Sequence, residues 1–375
     1  MDERLRFIQD AQSDRWTMVA LCERYGISCR VGYKWLARYA EEGRRGLVDR
    51  SRRPHRSPNR IRLVLEELLC EFRRTHPDWG ARKLLKVLGG RHPEITDWPA
   101  ASTTTDLLAR RGLVQKRRRR RKPLHPGVVP LHTTAPNDLW TADFKGQFRT
   151  ANGLYCYPLT IADQHTRFLL TCYGLLSTET LTAKPIFERA FREYGLPRAI
   201  RTDNGVPFAT QAIHGLSYLN VWWMRLGIQH QRIHPGQPQE NGAHERMHRT
   251  LKRRAIKPVQ RTCASQQKVF DAFRAEYNFE RPHEALEQET PGSHYATSAR
   301  PYPKHLPALE YPLHFLKRRI TTGGTFRFGD KLLYLANSLV NQDIGLEETD
   351  DGIWSIYFNT VLIATLDERD YLIRG

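Results

Sequence analysis

The sequence predicts a multidomain α/β protein: helical units at the N-terminus, a mixed-sheet α/β core in the middle and a small β-barrel at the C-terminus. Three observations predict it. Residues 1–115 carry apolar side chains at helical spacing. From Asp138 the pattern turns to aromatic and β-branched runs separated by turns, which then alternate with helical segments. After a proline-rich stretch, residues 313–375 hold five short strand patterns. A length of 375 residues suits two to four domains.

Charge bounds the class of partner. The formal net charge is +19, which points to a polyanion, most simply nucleic acid. Residues 1–130 contain 30 Lys and Arg against 15 Asp and Glu, so most of the excess sits in the first third. The six cysteines form no CxxC pair, as expected of reduced thiols in a cytoplasmic protein. The first residues, MDERLRFIQD, are charged and read as no secretory signal, and no apolar run reaches membrane-spanning length.

In chain order, residues 1–50 read as a helix-turn-helix domain. Trp16–Tyr25 is amphipathic, Gly26 breaks it, and Ser28 is placed to cap a second helix reaching about Tyr39. Arg30, Lys34 and Arg38 lie on that second helix, the one that would enter a major groove. Residues 51–60 are a basic linker, with Arg52 and Arg53 placed to follow a phosphate backbone. Residues 61–122 form a second helix-turn-helix-like domain. Its helices are Ile61–Arg74, Gly80–Leu88 and Ser102–Arg111, with Ser102 as the cap, and it ends in a basic arm. That arm, Lys116, Arg117, Arg118, Arg119, Arg120, Arg121 and Lys122, is a DNA-backbone or minor-groove element. Residues 123–137 are a linker with four prolines.

The core occupies 138–295. Its strands are Leu139–Phe148, Tyr155–Ala162, Arg167–Leu176, Arg198–Thr202 and Ile228–Ile233. Its helices are Glu179–Tyr194, Tyr218–Leu226, one from about Glu240, and Gln266–Phe279. Trp140, Trp222 and Trp223 read as core residues. His230, His234 and His283 read as structural or phosphate-contacting. A linker at 296–312 leads to the barrel at 313–375, with strands Phe326–Phe328, Lys331–Leu335, Ile344–Glu347, Trp354–Phe358 and Val361–Thr365.

Three carboxylates in the core carry the chemistry. Asp143 stands mid-strand in WTADFKG among apolar neighbours, where a lone charge is costly unless it is paired or binds a metal. Asp203 ends a strand in RTDNG, where Gly205 leaves the backbone room. Glu245 lies in HPGQPQENGAHERMHRTLKRR, from His234 to Arg254. Read as a helix, that segment places Ala243, Met247 and Leu251 on one stripe. Glu245 then faces away, among His248, Arg249 and Lys252. Three oxygen donors of this kind suit a pair of Mg²⁺ ions, with Mn²⁺ as a substitute, serving in-line phosphoryl displacement. The same segment spells HExxH at 244–248, the zincin signature of a zinc metalloprotease. That reading accounts neither for Asp143 and Asp203 nor for the basic first third.

These motifs together resemble the retroviral-integrase-like DDE transposases of bacterial insertion sequences. The resemblance rests on WTADFKG, IADQHTRF, TDNG, HPGQPQENGAHERMHRTLK and YNFERPHEALEQETP (Tyr277 to Pro291), and covers about residues 135–295. It implies an RNase H-like core with Asp143, Asp203 and Glu245 as catalytic and metal-binding triad. It also implies strand cleavage and joining at the terminal repeats of a mobile element and at target double-stranded DNA, by at least a dimer, in the bacterial cytoplasm and nucleoid. The family's Glu falls in an NGxxER context, which selects Glu245 over Glu240. The 41 residues between Asp203 and Glu245 exceed the usual interval, and AIHGLSYLNVWW is placed to absorb the excess. Asn204 and Arg249 are candidates for supporting the carboxylates or touching DNA. A non-catalytic DNA-binding regulator or domesticated derivative would share the N-terminal features.

Overall fold

The computed structural model describes residues 2–51, 60–114, 133–210, 215–234 and 238–375. They form two compact units, Met1–Leu63 and Val64–Gly375.

The first unit is three helices, α1 (Asp2–Gln12), α2 (Met18–Arg24) and α3 (Cys29–Glu42). Phe7, Ile8, Leu21, Cys22, Trp35 and Leu47 make its core. Gly32 is needed where α3 crosses α2, because a Cβ there would stand 2.7 Å from Cys22 Sγ. Thr17 caps α2. Ser28 occupies the cap position of α3 but makes no side-chain cap bond, contrary to expectation. The two helices expected there are present.

The second unit opens with α4 (Leu63–Thr75), α5 (Ala81–Arg91) and α6 (Ala101–Arg110). Ser102 lies inside α6 rather than at its cap; the cap is Ala100, whose carbonyl accepts from the Thr104 hydroxyl. Leu69, Phe72, Leu84, Leu88, Leu107 and Leu108 in these helices, and Trp79 between α4 and α5, are buried. Ion pairs tie them and their connection to the residues that follow α9 (Gly242–Leu251) and the last core helix. Asp78 meets Arg281 at 2.6 Å and Arg254 at 3.7 Å, and Lys86 meets Glu289.

The core sheet contains β1 (Leu139–Phe144), β2 (Phe148–Arg149), β3 (Tyr155–Asp163), β4 (Leu169–Leu175), β5 (Ala199–Thr202) and β6 (Gln229–Arg232). Helix α7 (Thr180–Tyr194) lies between β4 and β5, and α8 (Tyr218–Arg225) between β5 and β6. The expected first strand, Leu139–Phe148, is broken: Gly146 at φ +83° ends it and starts the short β2. The order across the long strands is β4-β3-β1-β5-β6. Strand β3 runs antiparallel to β4 and β1, whereas β1, β5 and β6 are parallel. This mixed sheet is the expected RNase H-like arrangement. Helices α7 and α8 cover one face with Phe187, Phe191, Trp222 and Trp223 packed on Trp140, Ile161 and Ile200. Helices α9 (Gly242–Leu251) and α10 (Cys263–Ala275) cover the other, with Met247, Leu251, Phe270 and Phe273 packed on Cys156, Leu169 and Cys172. Side-chain boxes Ser217–Asn220 and Thr262–Ser265 start α8 and α10.

The C-terminal residues do not form a closed barrel. They make β7 (Leu316–Arg319), β8 (Thr325–Phe328), β9 (Lys331–Tyr334), β10 (Asp343–Asp350), β11 (Ile353–Phe358), β12 (Val361–Asp367) and β13 (Leu372–Arg374). Five of these form an open sheet in the order β13-β12-β11-β10-β7, and β8 and β9 form a separate hairpin. The sheet escapes the need to close on itself because another element covers it. Leu216 and Val221 of the α8 region join Ile320, Leu346, Ile356 and Leu366 in one apolar cluster.

Candidate active site

Parallel pairing brings two of the carboxylates to one edge of the sheet. Asp143 is the penultimate residue of β1, and Asp203 directly follows β5. The strands are neighbours in parallel register, so both residues stand at strand carboxyl ends, where α/β sheets place their sites. Asp203 Oδ1 accepts from the Gly205 N–H at 3.2 Å, and a Cβ on Gly205 would lie at that same distance from the other carboxylate oxygen. Glu245 lies in the first turn of α9 and is exposed. Burial is the main cause that lifts the Asp143 carboxyl to about 7; the negative charge of Asp203 adds to it and that of Glu245 adds less. Asp203 is raised as well, by burial. The Asp143 carboxyl thus feels the negative charge of both Asp203 and Glu245, the kind of setting in which carboxylates hold a cation.

Behind Asp143 lies a network that the sequence reading missed. His244 and His248 are only 2% and 6% exposed. The buried stripe of α9 is His244, Met247, His248 and Leu251, offset from the expected Ala243, Met247 and Leu251. His248 is therefore not the exposed DNA-contacting cation of the sequence reading. Burial depresses His244 to about 3 and His248 to about 2, so both rings are neutral. The spacing i, i+3, i+4, i+7 was available in the sequence, but histidines are not scored as apolar. Thr160 pairs with Asp143 across β1 and β3. Thr141 Oγ1 lies 2.8 Å from His244 Nδ1 and 3.2 Å from the Ala162 carbonyl, and Thr160 Oγ1 lies 2.7 Å from both His244 Nε2 and His248 Nε2 and 3.0 Å from the Asp143 carbonyl, so the hydroxyls and rings form one buried hydrogen-bonded network. His248 Nδ1 then faces the Asp143 carboxylate at 3.6 Å.

Asp143, His244 and His248 have ligand-type atoms within 4.8 Å of one another, a grouping found among the described residues. The HExxH string thus does converge on a carboxylate. Yet both ring nitrogens of His244 are engaged by hydroxyls, and Glu245 is exposed while the two histidines are buried.

The remaining site residues fall into three groups. Arg30 and Lys34 are exposed on α3 and Arg38 is half-buried; Lys34 and Arg38 lie 4.3 Å and 5.2 Å from the Trp35 ring. Arg249 and Lys252 are exposed beyond Glu245. Arg52, Arg53 and Lys116 to Arg121 lie outside the described residues. Asn204 Nδ2 donates to the Ile233 carbonyl at 3.0 Å, a tie between two loops. Glu240 is held by His234, through Nδ1 at 2.8 Å and the backbone N–H at 3.1 Å, which keeps its carboxyl below the usual range. His230 meets the Thr202 hydroxyl at 2.8 Å, and Trp140, Trp222 and Trp223 are core residues as expected.

Family models described as integrase core domain match residues 133–238 and 226–291, the stretch that carries this sheet and its carboxylates. A model described as the leucine-zipper of insertion element IS481 matches residues 4–74. The described residues there form α1–α4, of which the longest is α3 at 14 residues. An uncharacterized 39.2 kDa protein of insertion element IS476 from Xanthomonas euvesicatoria is 27% identical over 60% of this chain and 63% of its own length. An uncharacterized 31.7 kDa protein of insertion element IS407 from Burkholderia multivorans is 29% identical over 51% and 68%. The chain thus spans about two thirds of each of these relatives. A simian T-cell lymphotropic virus intasome chain matches 78% of this chain and 97% of its own at 17% identity, with a TM-score of 0.40. Residues 133–291 are thus similar to integrase core domains, and the chain is similar to proteins of bacterial insertion elements. No helix among the described residues is long and apolar enough to cross a membrane.

Proposed function

We propose that the protein is a DNA transposase that binds the terminal inverted repeats of its element and carries out metal-dependent strand cleavage and strand transfer. The observation that supports this best is the shared field of Asp143, Asp203 and Glu245. Burial first, and then the charges of Asp203 and Glu245, lift the Asp143 carboxyl to about 7 at the edge where two parallel strands end. All-oxygen donors fit Mg²⁺ or Mn²⁺, and these three residues would hold two such ions. When bound, the ions supply Lewis-acid activation of the attacking oxygen and charge stabilisation of the leaving one. The chain's own residues do the rest. Strands β1 and β5 fix Asp143 and Asp203, and α9 presents Glu245. Buried His244 and His248 brace Asp143 from behind, and Arg249 and Lys252 offer charge to the phosphodiester. Water attacks at the element end to leave a 3′-hydroxyl, which then attacks a target phosphodiester, with no covalent protein–DNA link. Arg30, Lys34, Arg38, Arg52, Arg53 and the arm from Lys116 to Arg121 hold the DNA. The active form is at least a dimer on DNA. Glu240, engaged by His234, serves structure.

The test is a strand-transfer assay with the repeats that flank the gene's own locus, using wild type and Glu245→Gln in Mg²⁺. End binding is retained and joining lost in the variant. Substantial joining by Glu245→Gln would overturn the triad. Binding without joining by the wild type would make the protein a non-catalytic DNA-binding derivative. Peptide cleavage with retained zinc would establish the protease reading.

A further inference from the structure

On another side of α9 from Glu245, the helix lines a cavity of about 440 Å³ shared with α5 and the segment after α10. Lys83, Arg167, Arg246 and Arg281 all line it, against Glu284 as the only acid among the lining residues. Arg281 is answered by Asp78 at 2.6 Å. Glu284 lies 3.8 Å from Arg82, away in solvent. Lys83, Arg167 and Arg246 make no ion pair among the described residues. Arg167 Nη1 is moreover buried without a hydrogen-bond partner there, and so is His283 Nε2. Arg167 stands at φ +65°, a left-handed backbone that non-glycine residues seldom adopt and that tends to be kept for function. Burial depresses Lys83 to about 8, with Arg281 pushing the same way; burial lowers Arg167 too, and Arg246 adds to it. Like charges gathered around one cavity, with buried donors that have no hydrogen-bond partner, favour an anion.

The shape selects among anions. The cationic donors come from three separate directions: the turn after β3, helix α9 and helix α5. Arginine forks match the oxygens of a phosphate, and a tetrahedral group can accept from several directions at once. Met247, Tyr277 and Ala243 provide an apolar wall, and the volume exceeds that of a bare phosphate, leaving room for an attached sugar.

We propose that this cavity binds a phosphate group carried on a nucleic-acid strand or a free nucleotide, with Arg167 and Arg246 as its principal ligands and Lys83 reaching it from α5. The site goes beyond the transposase reading and does not depend on it, since it is measured by binding rather than by turnover. Full-length wild type, Arg167→Gln, Arg246→Gln, Arg246→Lys and the exposed control Lys268→Gln are compared in Mg²⁺ buffer. One arm titrates a short duplex of arbitrary sequence across a range of NaCl by fluorescence anisotropy. The other titrates AMP and inorganic phosphate by calorimetry.

If the phosphate belongs to a strand, Arg246→Gln weakens duplex binding about tenfold and lowers the salt slope by about 1, while Arg246→Lys restores the slope. If it belongs to a free nucleotide, AMP binding falls about tenfold and the duplex is unaffected. In either case Lys268→Gln matches wild type. Arg246 is exposed and its replacement leaves the fold intact, so this variant decides the matter even if Arg167→Gln misfolds. Wild-type affinity and salt slope for Arg246→Gln in both arms would overturn the proposal, whatever the outcome of strand transfer.

Discussion

Helix α9 has like charges gathered on two of its sides, with opposite signs. Toward β1 and β5 it presents Glu245 to Asp143 and Asp203, and a close-packed histidine–threonine network stands behind them. Toward α5 it presents Arg246 to Lys83 and Arg167 around an open cavity. Neither cluster is neutralised within the described residues, yet the two are built differently. The anionic one is backed by buried side chains held in hydrogen bonds. The cationic one is roomy and part apolar, suited to a larger, polyatomic anion. Packing around each cluster, more than charge alone, decides what it can hold.

Glu245→Gln strikes the anionic side hardest. It removes one oxygen charge while keeping the shape, so α9 should pack as before. Loss of a group that hydrogen-bonds a metal ligand costs roughly 10–100-fold, and loss of a ligand itself should cost more than about 100-fold in strand transfer. Salt-dependent DNA binding through the cavity should not change. A parallel fall in both would show that the two sides are not separable.

Asp143 yields a stability prediction with a definite sign. Its carboxyl rises from an ordinary value near 3.8 to about 7 in the folded protein. Between those values the folded chain binds the extra proton, so this group's contribution to stability falls as pH rises through about 4 to 7, then levels off. In chelator, Asp143→Asn should match wild type at pH 4 and exceed it at pH 8 by on the order of 1–4 kcal/mol. Urea denaturation across pH measures this. Divalent metal should shrink the gap at pH 8, because it stabilises only the wild-type carboxylate. Equal slopes for both proteins would mean that the carboxylates are not crowded as described.

Much of the core was legible because its strands are aromatic and β-branched and its helices keep a 3.6-residue period. Asp143 was legible as a carboxylate stranded in an apolar run, and Asp203 as an Asp at a strand end. Other features were hidden for physical reasons. Strand β7 reads LKRR and β13 reads LIR, edge segments whose exposed side chains carry little alternation. Barrel closure depends on register and on what covers the sheet, and counting strands reveals neither. His248 was misplaced because a histidine looks like a surface cation until a hydroxyl is found waiting for its ring. The cavity could not be foreseen, since positions 83, 167, 246 and 281 are scattered through the chain.

His248→Asn tests the backing of the anionic side more gently. It removes a ring from a buried network without touching a carboxylate. We expect the Mg²⁺ concentration for half-maximal strand transfer to rise about 10–100-fold, with most activity regained at saturating metal. A loss that metal cannot restore would mark a purely structural role. An unchanged metal requirement would remove the network from the site.

Glu284→Gln gives the smallest effect and acts on the cationic side alone. Glu284 is the only acid among the cavity's lining residues. Its ion pair with Arg82 is long, 3.8 Å, and both side chains are mainly exposed. Exposed pairs of this kind contribute within about 0.5 kcal/mol, so the melting temperature should stay within a degree or two. Phosphate affinity should nonetheless rise by roughly two- to threefold, because a negative charge is removed from the wall that the anion approaches. The Asp143 pH profile should be untouched, since Glu284 is not among the charges that shift it. Weaker phosphate binding in Glu284→Gln would mean that this carboxylate orients Lys83 or Arg82 rather than opposing the anion. The cavity's charge would then be set by pairing, as Asp78 already does for Arg281.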